Sequence, residues 1–243
     1  MLRRFGWAAY DHLGGLVLLN LLWAVLALPW LLAAYVGLQT AAAAGPAWLV
    51  ASIPLAAQGV LLSPPSLLLF AAGLRWASGQ DTSLAELLAA VRPHVWRAQA
   101  LGAAAVVLSG LAALDAAVYR HLAGWLGLLF SGLMLWFLVA VAMVGLYAYP
   151  VLLTQQTGIV ATVRHSFAIA MANLRLTGGL VLACLAFLVV GVLSGAGLFL
   201  GLLAAAVLLV SVCFRQLLTR YTGKPLPEEP PRTWRQVIRP WEA

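Results

Sequence analysis

Asp115 is the residue of this chain best placed to do chemistry inside an apolar environment. It sits in the run AVVLSGLAALDAAVYRH, about a turn from the polar end. An ionisable group within a membrane-spanning segment is a default candidate for proton or ion handling. So close to Tyr119 and Arg120, it can equally serve as a paired interfacial carboxylate that reaches headgroup water. Asn20 and Gln58 are the neutral counterparts, each suited to hydrogen-bond a neighbouring helix, with a ligand contact as the sharper alternative. The four histidines, His12, His94, His121 and His165, fall at separate flanks without a His-x-x-x-His or Cys/His cluster, so no metal site is expected. Cys184 and Cys213 lie inside apolar runs and read as packing residues. Serines in the apolar runs lack a neighbouring His or Lys base, and no Gly-rich phosphate loop occurs. The sequence therefore offers no catalytic residues and calls for no cofactor.

The elements that must position these residues follow from composition. The chain is 64% apolar and only 9% charged, with a mean hydropathy of +0.99. So few charges cannot cover a globule, so the outer surface must face lipid. The expected fold is all-α, a polytopic membrane helix bundle of about six spans with two amphipathic cytoplasmic interfacial helices. The spans read as 13–38, 47–76, 98–118, 122–149, 176–195 and 198–214 in a single membrane domain, 1–219, followed by a Pro- and charge-rich tail, 220–243. The N-terminal apolar run is too long for a signal-peptide core and reads as a retained first helix. No charged residue or His lies between His12 and Arg75. The second crossing is broken at Pro54 and at Ser63-Pro64-Pro65. It is either two half-helices or a re-entrant piece followed by a short crossing. Pro29 should kink the first span without ending it, whereas the fourth apolar run should stop at Pro150.

Two stretches differ in character. At 83–96, Ser83 and Glu86 form a capping-box pair, and Leu84, Leu87, Leu88, Val91 and Val95 recur on one helical face. At 158–173, Ile159, Val160, Val163, Phe167 and Ala170 do the same beside Arg164 and His165, with Arg175 just beyond. Both read as amphipathic helices in the membrane interface. Their polar residues Glu86, Arg92, Arg164, His165 and Arg175 are the candidate partner surface. Each stretch leads into a small-residue-rich span, a faint internal echo. The net charge of +7 is scattered singly along span flanks, which marks topology and not a nucleic-acid stripe. Of the 14 basic residues, all but Arg120 fall on the side of the N-terminus, so both termini are expected in the cytoplasm of an inner-membrane protein. Trp7, Trp76 and Trp96 read as inner belt anchors, and Trp30, Trp48 and Trp125 as outer ones. Gly191/Gly195 and Gly197/Gly201 are small-xxx-small pairs, read chiefly as packing within the monomer, with a homo-oligomer left open.

Asn20-Leu21-Leu22-Trp23 with Leu28-Pro29, then Ser63-Pro64-Pro65-Ser66 through Arg75, Tyr149-Pro150 and Ala172-Asn173-Leu174, resemble in order and spacing the YesL-like family of bacterial membrane proteins. Residues from about Leu38 to Leu62 depart from that pattern as an insertion. The resemblance implies a domain without an established activity, often associated with carbohydrate uptake, and transfers no catalytic residue. The resulting expectation is a non-enzymatic accessory or assembly protein that contacts the bilayer and a membrane transporter complex. A transporter or permease subunit moving a small solute is the alternative, and a lipid-acting enzyme comes third.

Overall fold

A computed structural model describes residues 2–41, 56–57, 60–121, 124–156, 158–194 and 201–223. Among them every regular element is a helix. In chain order these are α1 (Leu2–Asp11), α2 (Leu13–Ala41), α3 (Ser63–Trp76), α4 (Leu84–Val91), α5 (Val95–His121), α6 (Trp125–Gln155), α7 (Ile159–Ala172), α8 (Leu174–Ser194) and α9 (Leu202–Thr222), with a 3-10 turn, Arg92–His94, joining α4 to α5. Five stretches among the described residues are long and apolar enough to cross a membrane, namely α2, α4–α5, α6, α8 and α9. Large apolar side chains stand fully outward on them, such as Leu128, Trp136 and Leu193. In water this surface would drive aggregation; in a bilayer it is the lipid-facing wall. The chain is thus a multi-pass membrane protein with an all-α bundle.

The centre of the bundle is the pair α3 and α9. Leu67 to Leu74 of α3 reads LLLFAAGL, apolar on every side, and all of it is buried; such a helix can be enclosed by lipid or by protein, and here protein encloses it. α9 buries Ala206 to Phe214 in the same way. The two backbones approach closely at Gly73, where a Cβ would lie 2.6 Å from Ser211 Oγ and 3.6 Å from the Leu208 Cα. Around this pair stand α1, α2, α5, α6 and α8.

One end of the bundle collects most of its polar contacts. His12 Nδ1 lies 3.7 Å from Asp81 Oδ1, and the Arg75 guanidinium binds Glu86 Oε2 at 2.6 Å. Arg215 Nε donates to the Leu74 carbonyl at 3.3 Å. Asn173 Nδ2 donates to the Tyr221 hydroxyl at 2.8 Å, and Arg97 donates to the Gln156 carbonyl at 3.4 Å. These ties bring together the start of α2, the end of α3, α4 with the start of α5, the end of α6, and the end of α9. The chain leaves this end in α2 and re-enters it at the C-terminus of α3. α5 with α6, and α8 with α9, are two further out-and-back pairs.

Several local expectations change. α6 continues through Pro150 to Gln155: Thr154 Oγ1 donates to the Pro150 carbonyl at 2.8 Å, adding a side-chain bond in the turn after the proline. The helix instead ends where Gln156 takes a left-handed backbone, φ 53°. The interfacial stretch 83–96 is shorter than its pattern, since Trp96 already belongs to α5. Only half of the capping box forms. Ser83 Oγ accepts from Glu86 N at 3.3 Å, while the Glu86 carboxylate turns to Arg75 because a cation is a stronger partner than a backbone amide. Trp76 is buried and stacked on His12 at 5.0 Å, a packing residue and not a belt anchor. α1, an additional amphipathic helix before the first span, went unread because it is short and shares its Trp and Tyr with the flank.

Candidate functional site

α2 carries Asn20 and Trp23 three residues apart, and α3 carries Ser63 and Ser66 three residues apart, so each pair occupies one helical face. The faces meet. Trp23 Nε1 donates to Ser66 Oγ at 3.1 Å, and the Tyr149 hydroxyl of α6 is hydrogen-bonded to the Ser63 side chain. Asn20 is 1% exposed, and its Oδ1 accepts from the Ala204 backbone N–H at 3.2 Å. Ala204 is the third residue of α9, whose own cap, Gly201, has no side chain and a left-handed φ of 102°. Asn20 therefore caps α9 from another helix, taking one of the orphan donors of a helix start. Glycine suits position 201 because its φ is strained for any other residue, although a Cβ there would meet Val17 and the Leu16 backbone only at ordinary contact distance, 3.7–3.9 Å.

α3 also starts inside the bundle, with Pro64 and Pro65 in its first turn. Proline has no N–H, so two of the donors a buried helix start would leave unsatisfied do not exist. Two helix beginnings thus converge beside α2, each neutralised by a different device. Next to them lies a cavity of about 330 Å³, lined by Trp23, Phe70, Leu146, Cys184, Leu203 and Val207 among others and, among the described residues, by no charged group. It suits an apolar occupant and offers no ion relay.

The second candidate region is the polar end of the bundle, where the charged contacts gather. α7 has three faces. Thr162, Ser166 and Ala170 are buried, and the helix packs chiefly on α6. Ile159, Val160, Val163, Phe167 and Met171 are exposed; Ala170 thus leaves the apolar face on which its spacing put it, because small residues let helices approach. Arg164 and His165 occupy the remaining face and are exposed, as is Arg175 at the start of α8. His165 Nδ1 is hydrogen-bonded to Gln155 Oε1. Arg164 and Arg175 have no hydrogen-bond or ion-pair partner among the described residues. On α4, Glu86 binds Arg75 and lies 3.4 Å from Thr82 Oγ1, so its carboxylate already serves the fold. Arg92 is exposed at the turn after α4.

The polar end also holds two histidines pushed away from protonation. His94 is 6% exposed, and its Nδ1 has no partner among the described residues. Burial lowers its pKa below the ordinary 6.5, and the Arg97 cation lowers it further. His12 is lowered by burial against the opposing pull of Asp81 and Asp11.

The structure does not bring the sequence candidates into one site. Asn20 lies in the buried seam. Gln58 lies outside the described residues. Asp115 is exposed on α5 between outward-facing Leu111, Leu114 and Val118, with no hydrogen bond to Tyr119 or Arg120. Glu86, Arg92, Arg164, His165 and Arg175 lie toward the polar end without converging. Sequence reading missed the hydroxyl partners of the seam and the buried Tyr147–Thr177 hydrogen bond of 3.1 Å. The i, i+3 repeat of polar residues within two apolar runs was the available signal. No group of three or more metal-ligating side chains converges among the described residues. Compared with protein-family models, curated proteins and solved structures, the chain matches none.

Proposed function

We propose that this chain is a non-enzymatic accessory or assembly component of the inner membrane, with both termini in the cytoplasm, that engages a partner through its inner face. The observation that carries this reading is the three-faced α7. One face packs on the bundle, one is apolar and suits the interface, and the third leaves Arg164 and His165 exposed, with exposed Arg175 beside it. Basic side chains that no acid among the described residues neutralises are available to an acidic partner surface. The charge asymmetry supports the cytoplasmic orientation. The link to a carbohydrate-uptake transporter rests on the YesL-like resemblance alone.

A photocrosslinking residue in place of His165 tests the reading in native membranes, with a second at lipid-facing Leu188 as control. A crosslink from position 165 to one transporter permease or ATPase, weakened by Arg164→Gln with Arg175→Gln at unchanged membrane yield, supports it. Crosslinks to lipid alone at both positions count against it.

The second reading, a transporter or permease subunit, is favoured by the two helix starts buried beside α2. Transporter sites are often built where interrupted helices begin. Solute flux in proteoliposomes that Asn20→Leu abolishes would favour this reading over the first.

A further inference from the structure

A groove of about 400 Å³ runs between α2, the start of α3, α4 and the start of α5. Leu22, Leu26, Pro64, Pro65 and Leu88 are among its walls, and Arg92 is the one charged residue lining it among the described residues. Leu22, Leu26 and Leu88 are each more than a third exposed, so the groove is open along its side. Arg92 has no hydrogen-bond or ion-pair partner among the described residues. Trp96, one turn further on, is 82% exposed, and an outward Trp at a span end marks the headgroup level. Leu22 and Leu26 lie nine and thirteen residues beyond Leu13, roughly 14–20 Å up α2 at 1.5 Å per residue. That depth matches one leaflet, about half of the roughly 30 Å hydrocarbon core.

The geometry points to a binding site for one anionic phospholipid of the inner leaflet, its phosphate at Arg92 and one acyl chain in the groove between α2, α3 and α4. Charge complementarity selects the headgroup: an unneutralised guanidinium at headgroup level favours a lipid with net negative charge over a zwitterionic one. The apolar walls and one-leaflet depth select the chain. A partner helix would bring its own polar ends to a groove whose deep end offers it none. Arg92 then faces lipid, which leaves Arg164, His165 and Arg175 for a protein partner; the two assignments stand independently.

The test is native mass spectrometry of the full chain released from nanodiscs containing equal phosphatidylglycerol and phosphatidylcholine of one acyl composition. The wild type should retain one phosphatidylglycerol in preference to phosphatidylcholine. Arg92→Gln should reduce that preference about fivefold, the worth of one basic residue near an anionic surface, while Arg92→Lys keeps most of it. Leu26→Trp, which fills the deep end from an exposed position, should lose both adducts. Arg120→Gln, at the opposite end, should change nothing. Equal retention of the two lipids by the wild type would overturn the assignment, as would an unchanged preference in Arg92→Gln. Should Arg92→Gln fail to fold, the wild-type preference and the Leu26→Trp loss decide the matter.

Discussion

Asn20 shows how much one neutral side chain can do in an apolar interior. Its carbonyl oxygen replaces the cap that Gly201 lacks, so removing it strands the Ala204 N–H away from water. Asn20→Ala should destabilise the fold by about 1 kcal/mol, between the usual loss for a helix cap and the modest worth of hydrogen bonds within membranes. Reversible unfolding in mixed detergent micelles measures it, and an unchanged midpoint would sever the seam from stability. His94 makes the pH prediction. Its folded-state pKa lies below the ordinary 6.5, so on acidification the unfolded chain takes up a proton first. Stability is therefore intact above about pH 6.5 and falls as the pH drops from there toward the folded-state value. His12 is shifted in the same direction. His94→Gln should flatten part of the acid-side decline in thermal midpoint; an identical pH profile in wild type and variant would refute the assignment.

Helices α3 and α9 carry the packing prediction at the scale of elements. A methyl group at Gly73 would meet Ser211 Oγ at 2.6 Å and Ser211 Cβ at 3.2 Å. Ser211 Oγ donates to the Val207 carbonyl at 2.8 Å, so it is not free to swing away. Gly73→Ala should destabilise by about 1–3 kcal/mol, the usual range for overpacking. Ser211→Gly should recover part of that loss in a double-mutant cycle, whereas additive effects would place the clash elsewhere. α7 tests the interface. Replacing Val160 and Phe167 by Asp puts two charges on the face assigned to lipid. A cysteine at position 163 should then label faster with a water-soluble maleimide while the global unfolding midpoint stays near that of the wild type. Equal labelling would mean that this face already meets water.

For the whole molecule, the contacts at the polar end gather the helix ends that the basic residues flank. His12 meets Asp81 and Arg97 meets Gln156, so the segments between them each leave and return to one end. Arg164→Glu with Arg175→Glu removes two anchors of the second inner segment and reverses the local charge bias. The double variant should show reduced membrane yield, with cysteines at Gly79 and His121 no longer labelling from strictly opposite sides. Unchanged yield and labelling would count against the orientation.

Composition and periodicity made the membrane class and the helical character of the long apolar runs legible, as they did the helices at 84–91 and 159–172. These depend on average hydropathy and on a 3.6-residue repeat, both local properties of the chain. Only the tertiary structure decided which apolar helices form the centre. α3 and α6 are equally apolar to the eye, yet Leu67–Leu74 is enclosed while Leu128, Leu133 and Trp136 face outward. In lipid, hydropathy no longer separates inside from outside, and the choice falls to close packing at small residues such as Gly73 and to rare polar contacts such as Asn20. The partners of those polar residues lie up to 184 positions away in the chain. No local pattern encodes them, and they exist only once the helices have assembled.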